Sequence, residues 1–131
     1  MIGVDMLKKA LFSLAMFGVM GLTMSIPCMA AESVTLSTDQ YWSNSNSVQG
    51  KEVAFNGSNY KSSKRDVWFI AEYKDSTGWH YNNKKKVAPG KQCPTINSDN
   101  LSRRSWRLQL NPYGSDTTQC NAKGKIWIVV Y

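Results

Sequence analysis

Catalytic side chains are scarce in this sequence. Its 131 residues include one histidine, three cysteines and nine acidic residues, and the acidic residues are scattered singly. A nucleophilic site needs a Ser or Cys beside a base that a third group holds, and no Gly-x-Ser-x-Gly elbow accompanies the single imidazole of His80. Glycoside hydrolysis needs two carboxylates across a cleft, and sequence spacing cannot pair Asp66, Glu72, Asp75 or Asp99. We therefore expect a protein that is not an enzyme.

Metal and cofactor motifs are also missing. The sequence has no His-x-His, no Cys-x-x-Cys and no Asp-rich calcium loop. It contains no internal repeat, no heptad pattern and no long amphipathic helix, and its length suits one domain. These absences predict a single small domain that uses no metal and no cofactor.

The first thirty residues have the order of a secretory signal peptide. Lys8 and Lys9 precede an apolar run at residues 10–24, and Pro27 follows. Cys28 and Ala30 then place small residues three back and one back from a cut after Ala30. A retained transmembrane anchor is the alternative, but the run of roughly 15–18 residues is short for a span of about 20. We expect cleavage near Ala30 and a secreted, extracellular product.

Details of this leader leave two alternatives open. Cys28 allows a lipoprotein, although Pro27 fits such a site badly, and Asp5 before the basic pair leaves Met6 open as the start of translation.

Removing residues 1–30 takes two lysines and one aspartate, so the formal charge falls from +7 to +6.

Two cysteines remain after cleavage, and an even number is typical of exported proteins. Cys93 and Cys120 would close a loop of about 28 residues, worth roughly 3–4 kcal/mol on the chain-entropy estimate. We predict a disulfide between them, with two free thiols as the alternative.

Alternation with period two, bounded by polar turn clusters, recurs along residues 31–131. The clearest hairpin joins residues 66–73 to residues 79–81, and Asn56-Gly57 indicates a turn after a short strand. The predicted strands are residues 33–36, 41–42, 52–55, 66–73, 79–81, 84–88, 104–110 and 125–131. This pattern predicts an all-β domain, a small antiparallel sandwich or barrel of about six to eight strands.

The last predicted strand is apolar on both faces. Ile126 and Ile128 lie on one face, and Trp127, Val129 and Tyr131 lie on the other. Either the strand is central and covered on both sides, or Trp127 and Tyr131 form an exposed platform for a ligand.

Clustered basic residues are the most informative remaining feature. Such fields attract anionic polymers and weaken with salt, although a solvated surface that serves solubility is the alternative. Aromatic residues lie close to these clusters, and sugars bind aromatic-plus-polar patches. The candidate ligand-binding residues are Trp79, Tyr81, Lys84, Lys85, Lys86, Arg103, Arg107, Trp127 and Tyr131.

A secreted cationic β-domain that binds anionic or carbohydrate components of a cell envelope is the function these features favour. An anionic wall polymer, a glycan or an anionic membrane surface would be the partner, and no nucleic acid is expected outside a cell. The alternative is a bacteriocin-like or membrane-active antibacterial protein. The composition hints at a bacterial source, and the oligomeric state is left open.

Overall fold

The computed structural model describes residues 30–131, which form nine β-strands and no helix. The strands are β1 (Ala31–Leu36), β2 (Ser43–Asn44), β3 (Val48–Gly50), β4 (Glu52–Asn59), β5 (Val67–Asp75), β6 (Gly78–Val87), β7 (Gln92–Asn97), β8 (Arg104–Pro112) and β9 (Ala122–Val130). The all-β prediction is confirmed, with one strand more than the upper number expected.

Two antiparallel sheets make up the domain. One has four strands in the order β1-β9-β4-β7, and the other has five, with the path β2-β8-β5-β6 and β3 also paired to β8. Because the buried side chains of both sheets form one core cluster, the architecture is a β-sandwich.

Strand alternation decides which side chains enter that core. In β8, Trp106, Leu108 and Leu110 are fully buried, whereas the residues between them are half-buried on the outer face. The indole Nε1–H of Trp106 donates to the Gly50 carbonyl at 2.9 Å, so the largest buried side chain has its polar atom satisfied. This pattern matches the alternation in the sequence at residues 104–110.

The predicted turn at Asn56-Gly57 is wrong, since both residues lie within β4. Gly57 pairs with Gly124 of the neighbouring β9. A Cβ atom at Gly57 would lie 2.2 Å from the Lys123 carbonyl oxygen and 2.6 Å from the Phe69 ring. The glycine therefore serves a close approach between the sheets, and its φ is not in the left-handed region.

Three other strand predictions need correction. The stretches predicted separately at residues 79–81 and 84–88 belong to one strand, β6. Tyr41 and Trp42 lie in the connection before β2, and β3 and β7 were not predicted. In β7, Pro94 lies at the irregular pairing with β4 on a sheet edge, where a missing N–H is tolerated.

The predicted disulfide is not present in residues 30–131, where Cys93 and Cys120 are buried free thiols. Cys93 lies beside Gly57 of β4, and Cys120 precedes β9 on the other side of β4. β4 thus separates the strand that carries Cys93 from the strand that Cys120 precedes. Each Sγ instead lies 3.5 Å from a carbonyl oxygen, that of Pro94 or Arg65.

The predicted signal peptide falls almost wholly on residues 1–29, as do the alternatives at Cys28 and Met6, and these residues lie outside the described part of the chain. Cleavage after Ala30 stays a prediction. Within the described part of the chain, no helix is long and apolar enough to cross a membrane.

Gly57→Ala tests the close approach of the sheets. The added methyl has no room against backbone atoms of β9, so we expect the free energy of unfolding to fall by at least about 2 kcal/mol. Guanidinium denaturation followed by tryptophan fluorescence measures it. Ser58→Ala, at the next position of β4, should change stability by less than about 1 kcal/mol. Equal effects of the two substitutions would contradict the packing described here.

Alkylation with iodoacetamide, followed by peptide mapping, tests whether Cys93 and Cys120 are free thiols. Burial raises the pKa of Cys93 to about 11 and also raises the pKa of Cys120, so little thiolate is present at neutral pH. We expect both peptides to remain unlabelled by iodoacetamide in the folded protein and to become labelled in denaturant without reductant. Recovery of a linked peptide containing Cys93 and Cys120 would contradict this.

Candidate ligand-binding face

The outer face of the five-stranded sheet brings aromatic and basic side chains together. They come from β5, β6 and β8 and from the residue that follows β8. We define the cationic–aromatic face as Trp68, Trp79, Tyr81, Tyr113, Lys74, Lys84, Lys86 and Arg107.

Two lysines of β6 lie close to the ring of Trp68. The Lys84 Nζ lies 4.6 Å from the centroid of Trp68 and 4.7 Å from that of Tyr81. The Lys86 Nζ lies 5.7 Å from Trp68 and 4.3 Å from Tyr113. Cation–π contacts of this kind contribute about 0.5–1 kcal/mol each at exposed sites. They hold two exposed ammonium groups beside the same indole.

Arg107 has a different role from these lysines. Its Nε donates to Glu72 Oε1 at 2.7 Å, and both side chains are largely shielded from solvent. Its guanidinium also lies 4.2 Å from the ring centroid of Trp79. Arg107 therefore neutralises an acidic group on the face and positions Trp79, which leaves the lysines as the charges available to a ligand.

A β-bulge in β6 brings the aromatic and basic residues to one face. Ala71 and Glu72 are consecutive in β5, but their partners in β6 are two residues apart, which leaves Asn82 extra. Without this residue, strict alternation would send Tyr81 and Lys84 to opposite faces. The bulge therefore changes the phase of the strand and creates the face.

Asp99 anchors the bulge from the segment after β7. The Asn82 Nδ2 donates to Asp99 Oδ2 at 3.2 Å, and the Asp99 backbone N–H donates to Asn82 Oδ1 at 2.9 Å. Asn83 also donates to the Asn97 carbonyl, at 3.1 Å. These bonds tie the edge strand of one sheet to the end of the other.

Lys85 lies on the other side of β6 from Lys84 and Lys86. Its partner in β5 is Phe69, whose side chain is in the core. Lys85 lies near Cys93, and its positive charge partly opposes the effect of burial on the pKa of that thiol. The lysine run in the sequence is therefore divided between the outer face and the edge of the sandwich.

The remaining predicted ligand residues lie elsewhere. The Arg103 guanidinium stacks 4.0 Å from the ring centroid of Tyr131, which follows β9. Trp127 is half-buried on the outer face of the four-stranded sheet, with Lys125 Nζ at 5.9 Å from its ring. β9 is a central strand, but Val129 beside Trp127 is 38% exposed, so its outer face is not fully covered.

Five predicted residues are thus brought together, namely Trp79, Tyr81, Lys84, Lys86 and Arg107. The residues that the prediction missed are Trp68, Tyr113 and Lys74. Trp68 could have been found from the alternation of β5, since Val67 and Phe69 point into the core and the residue between them must point out.

The single histidine lies in the β5–β6 hairpin. His80 Nε2 is 2.9 Å from Asp75 Oδ1 and 2.7 Å from Thr77 Oγ1. A catalytic relay uses both ring nitrogens, one toward the nucleophile and one toward the carboxylate. Here one nitrogen contacts both groups, so the cluster closes a turn. Across residues 30–131, no group of His, Cys, Asp or Glu side chains could hold a metal ion.

No family model and no curated protein matches this chain. Among solved structures, one described as "Crystal structure of PirA" is similar over 80% of this chain and 98% of that chain, with 9% identity and a TM-score of 0.43. A similarity at this level indicates neither a family nor a function.

Thr77→Ala tests the electrostatics of the hairpin. Hydrogen bonds from the Thr77 side chain and backbone, with His80 nearby, lower the pKa of Asp75 from 3.8 to about 2. A depressed pKa means that the carboxylate stabilises the fold above its ordinary pKa, and that this contribution is lost as the pH falls through about 2. We expect Thr77→Ala to raise the pKa of Asp75 in a carboxyl-detected NMR titration. Thr77→Ser keeps the hydroxyl and should not, and an unchanged pKa in both variants would contradict the assignment.

Proposed function

We propose that this protein binds anionic components of a cell envelope through its cationic–aromatic face, without catalysis. The observation that carries the proposal is that the exposed Lys84 and Lys86 both lie within about 6 Å of the Trp68 ring on the outer face of the sheet. Opposite charge attracts the ligand over a distance, and the indole supplies an apolar surface at the point of contact. The partner is an anionic wall polymer, a glycan or an anionic membrane surface.

Secretion belongs to the same proposal. The leader pattern at residues 1–30 would direct the domain to the exterior, where anionic envelope polymers are the abundant partners. The net positive charge of the sequence agrees with such partners.

The exposed aromatic residues favour one alternative, a bacteriocin-like protein that acts on membranes. Tyr41 and Trp42 precede β2 with 52% and 55% of their surface exposed, and Tyr113 beside Lys86 is 51% exposed. Aromatic side chains with one polar end are suited to a membrane interface. Leakage of a dye from anionic vesicles separates the two functions, because a binder leaves vesicles intact and a membrane-active protein empties them.

Charge reversal on one face tests the proposal. Lys84→Glu/Lys86→Glu replaces two attractions by two repulsions of about 1 kcal/mol each in water. We expect affinity for purified cell walls or anionic liposomes to fall at least about tenfold at low salt. Wild-type binding should itself weaken as salt is raised. Cosedimentation at two salt concentrations measures both effects.

Lys123→Glu/Lys125→Glu is the matched control. These two lysines are also exposed and two residues apart in a strand, but they belong to β9 of the other sheet. The control makes the same change in net charge and should retain most of the binding. Equal losses in the two variants would mean that net charge alone drives binding and would contradict the assignment of the face.

A further inference from the structure

Three side-chain amides form a hydrogen-bonded row on the same outer face. The Asn111 Nδ2 donates to Gln109 Oε1 at 3.1 Å, and the Gln109 Nε2 donates to Asn44 Oδ1 at 3.0 Å. Gln109 and Asn111 belong to β8 and Asn44 belongs to β2. We call these three residues the amide row.

The hydrogen bonds within the amide row determine which donors and acceptors remain free for a ligand. Each amide has two N–H donors and one oxygen acceptor, and the row uses only one N–H of Asn111 and one of Gln109. The row therefore leaves the oxygen of Asn111 at one end and the N–H groups of Asn44 at the other. Turning one amide over by itself would break a bond in the row, so the three amides hold one another in place before a ligand arrives.

The register places the amide row parallel to the lysines. Trp68 of β5 pairs with Lys86 on one side and Asn111 on the other. Two residues further along β5, Ile70 pairs with Lys84 and Gln109. The cations of β6 and the amides of β8 are thus two strand spacings apart, about 9–10 Å, with an indole and an aliphatic side chain between them.

We propose that the ligand of the cationic–aromatic face is an acidic polysaccharide that lies along the strands. This proposal rests on the function proposed above and names the class of its ligand. Its acidic groups would pair with Lys84 and Lys86, and the C–H faces of its sugar rings would pack on Trp68. Its hydroxyl groups, which both donate and accept, would bond the amide row.

Other anionic ligands would leave part of the face unused. A polyanion without hydroxyls engages the lysines alone. An anionic bilayer engages the lysines and the aromatic rings, but its acyl chains would take water away from the amides without replacing those hydrogen bonds. A hydroxyl-bearing acidic polymer engages all three parts of the face.

The test compares three probes with two pairs of substitutions. The probes are polygalacturonate, inorganic polyphosphate and phosphatidylserine vesicles, whose headgroups carry no hydroxyl group, each titrated over a range of salt. Gln109→Ala/Asn111→Ala should weaken polygalacturonate binding about tenfold and leave the slope of log affinity against log salt unchanged. It should not change binding of the other two probes. Lys84→Gln/Lys86→Gln should lower the salt slope for every probe.

Asn56→Ala/Thr95→Ala is the matched control. These residues form a similar hydrogen bond, 3.1 Å long, between β4 and β7 of the other sheet, and their loss should leave all binding unchanged. If the alanine pair at residues 109 and 111 does not fold, Gln109→Met with Asn111→Leu removes the amides with less change in volume.

Each outcome separates the two proposals. If wild-type protein binds polygalacturonate in a salt-sensitive way and the amide variant binds it equally well, the polysaccharide inference is wrong and the proposed function stands. The inference is also wrong if the amide variant loses polyphosphate or vesicle binding to the same degree. No binding of wild-type protein to any of the three probes overturns the proposed function and the inference together.

Discussion

The packing of Phe69 over two glycines decides how the sandwich is arranged. Gly57 and Gly124 are paired in neighbouring strands of one sheet, and neither has room for a side chain beneath the ring of Phe69 and the side chain of Leu108 from the other sheet. This contact fixes which residues of β5 point inward. The residues between them, Trp68 among them, must then point outward, so the same packing contact also determines which side chains form the cationic–aromatic face.

The bulge at Asn82 adds a second constraint. Core packing determines which residues of β5 point inward. In the ten residues of β6, the aromatic side chains lie near the start of the strand and the lysines near its end. Only the extra residue puts both on the outer face. Asn82 and Asp99 exchange two hydrogen bonds that hold it, so a contact between the ends of the two sheets controls the chemistry of an exposed surface.

Sequence alternation predicted the fold class and most long strands because core positions in β5, β8 and β9 recur every second residue. It failed where a residue served a nonlocal contact. Gly57 resembles a turn residue until Phe69 is placed above it, and Cys93 and Cys120 resemble a bridge until β4 is placed between them. For the site, the sequence predicted Lys84, Lys86, Arg107 and two of the aromatic residues, but not Lys74. It could not supply the bulge or the amide row, because both depend on partners in other strands.

The central claim is that the outer face of the five-stranded sheet, and not the opposite face, meets the ligand. The indole N–H signals of Trp68 and Trp127 report on the two faces separately in an NMR titration with an anionic cell-wall polymer, once each is assigned by substitution. The account predicts that the Trp68 signal shifts in a salt-dependent way while the Trp127 signal does not. A shift of Trp127 with an unchanged Trp68 signal would contradict it.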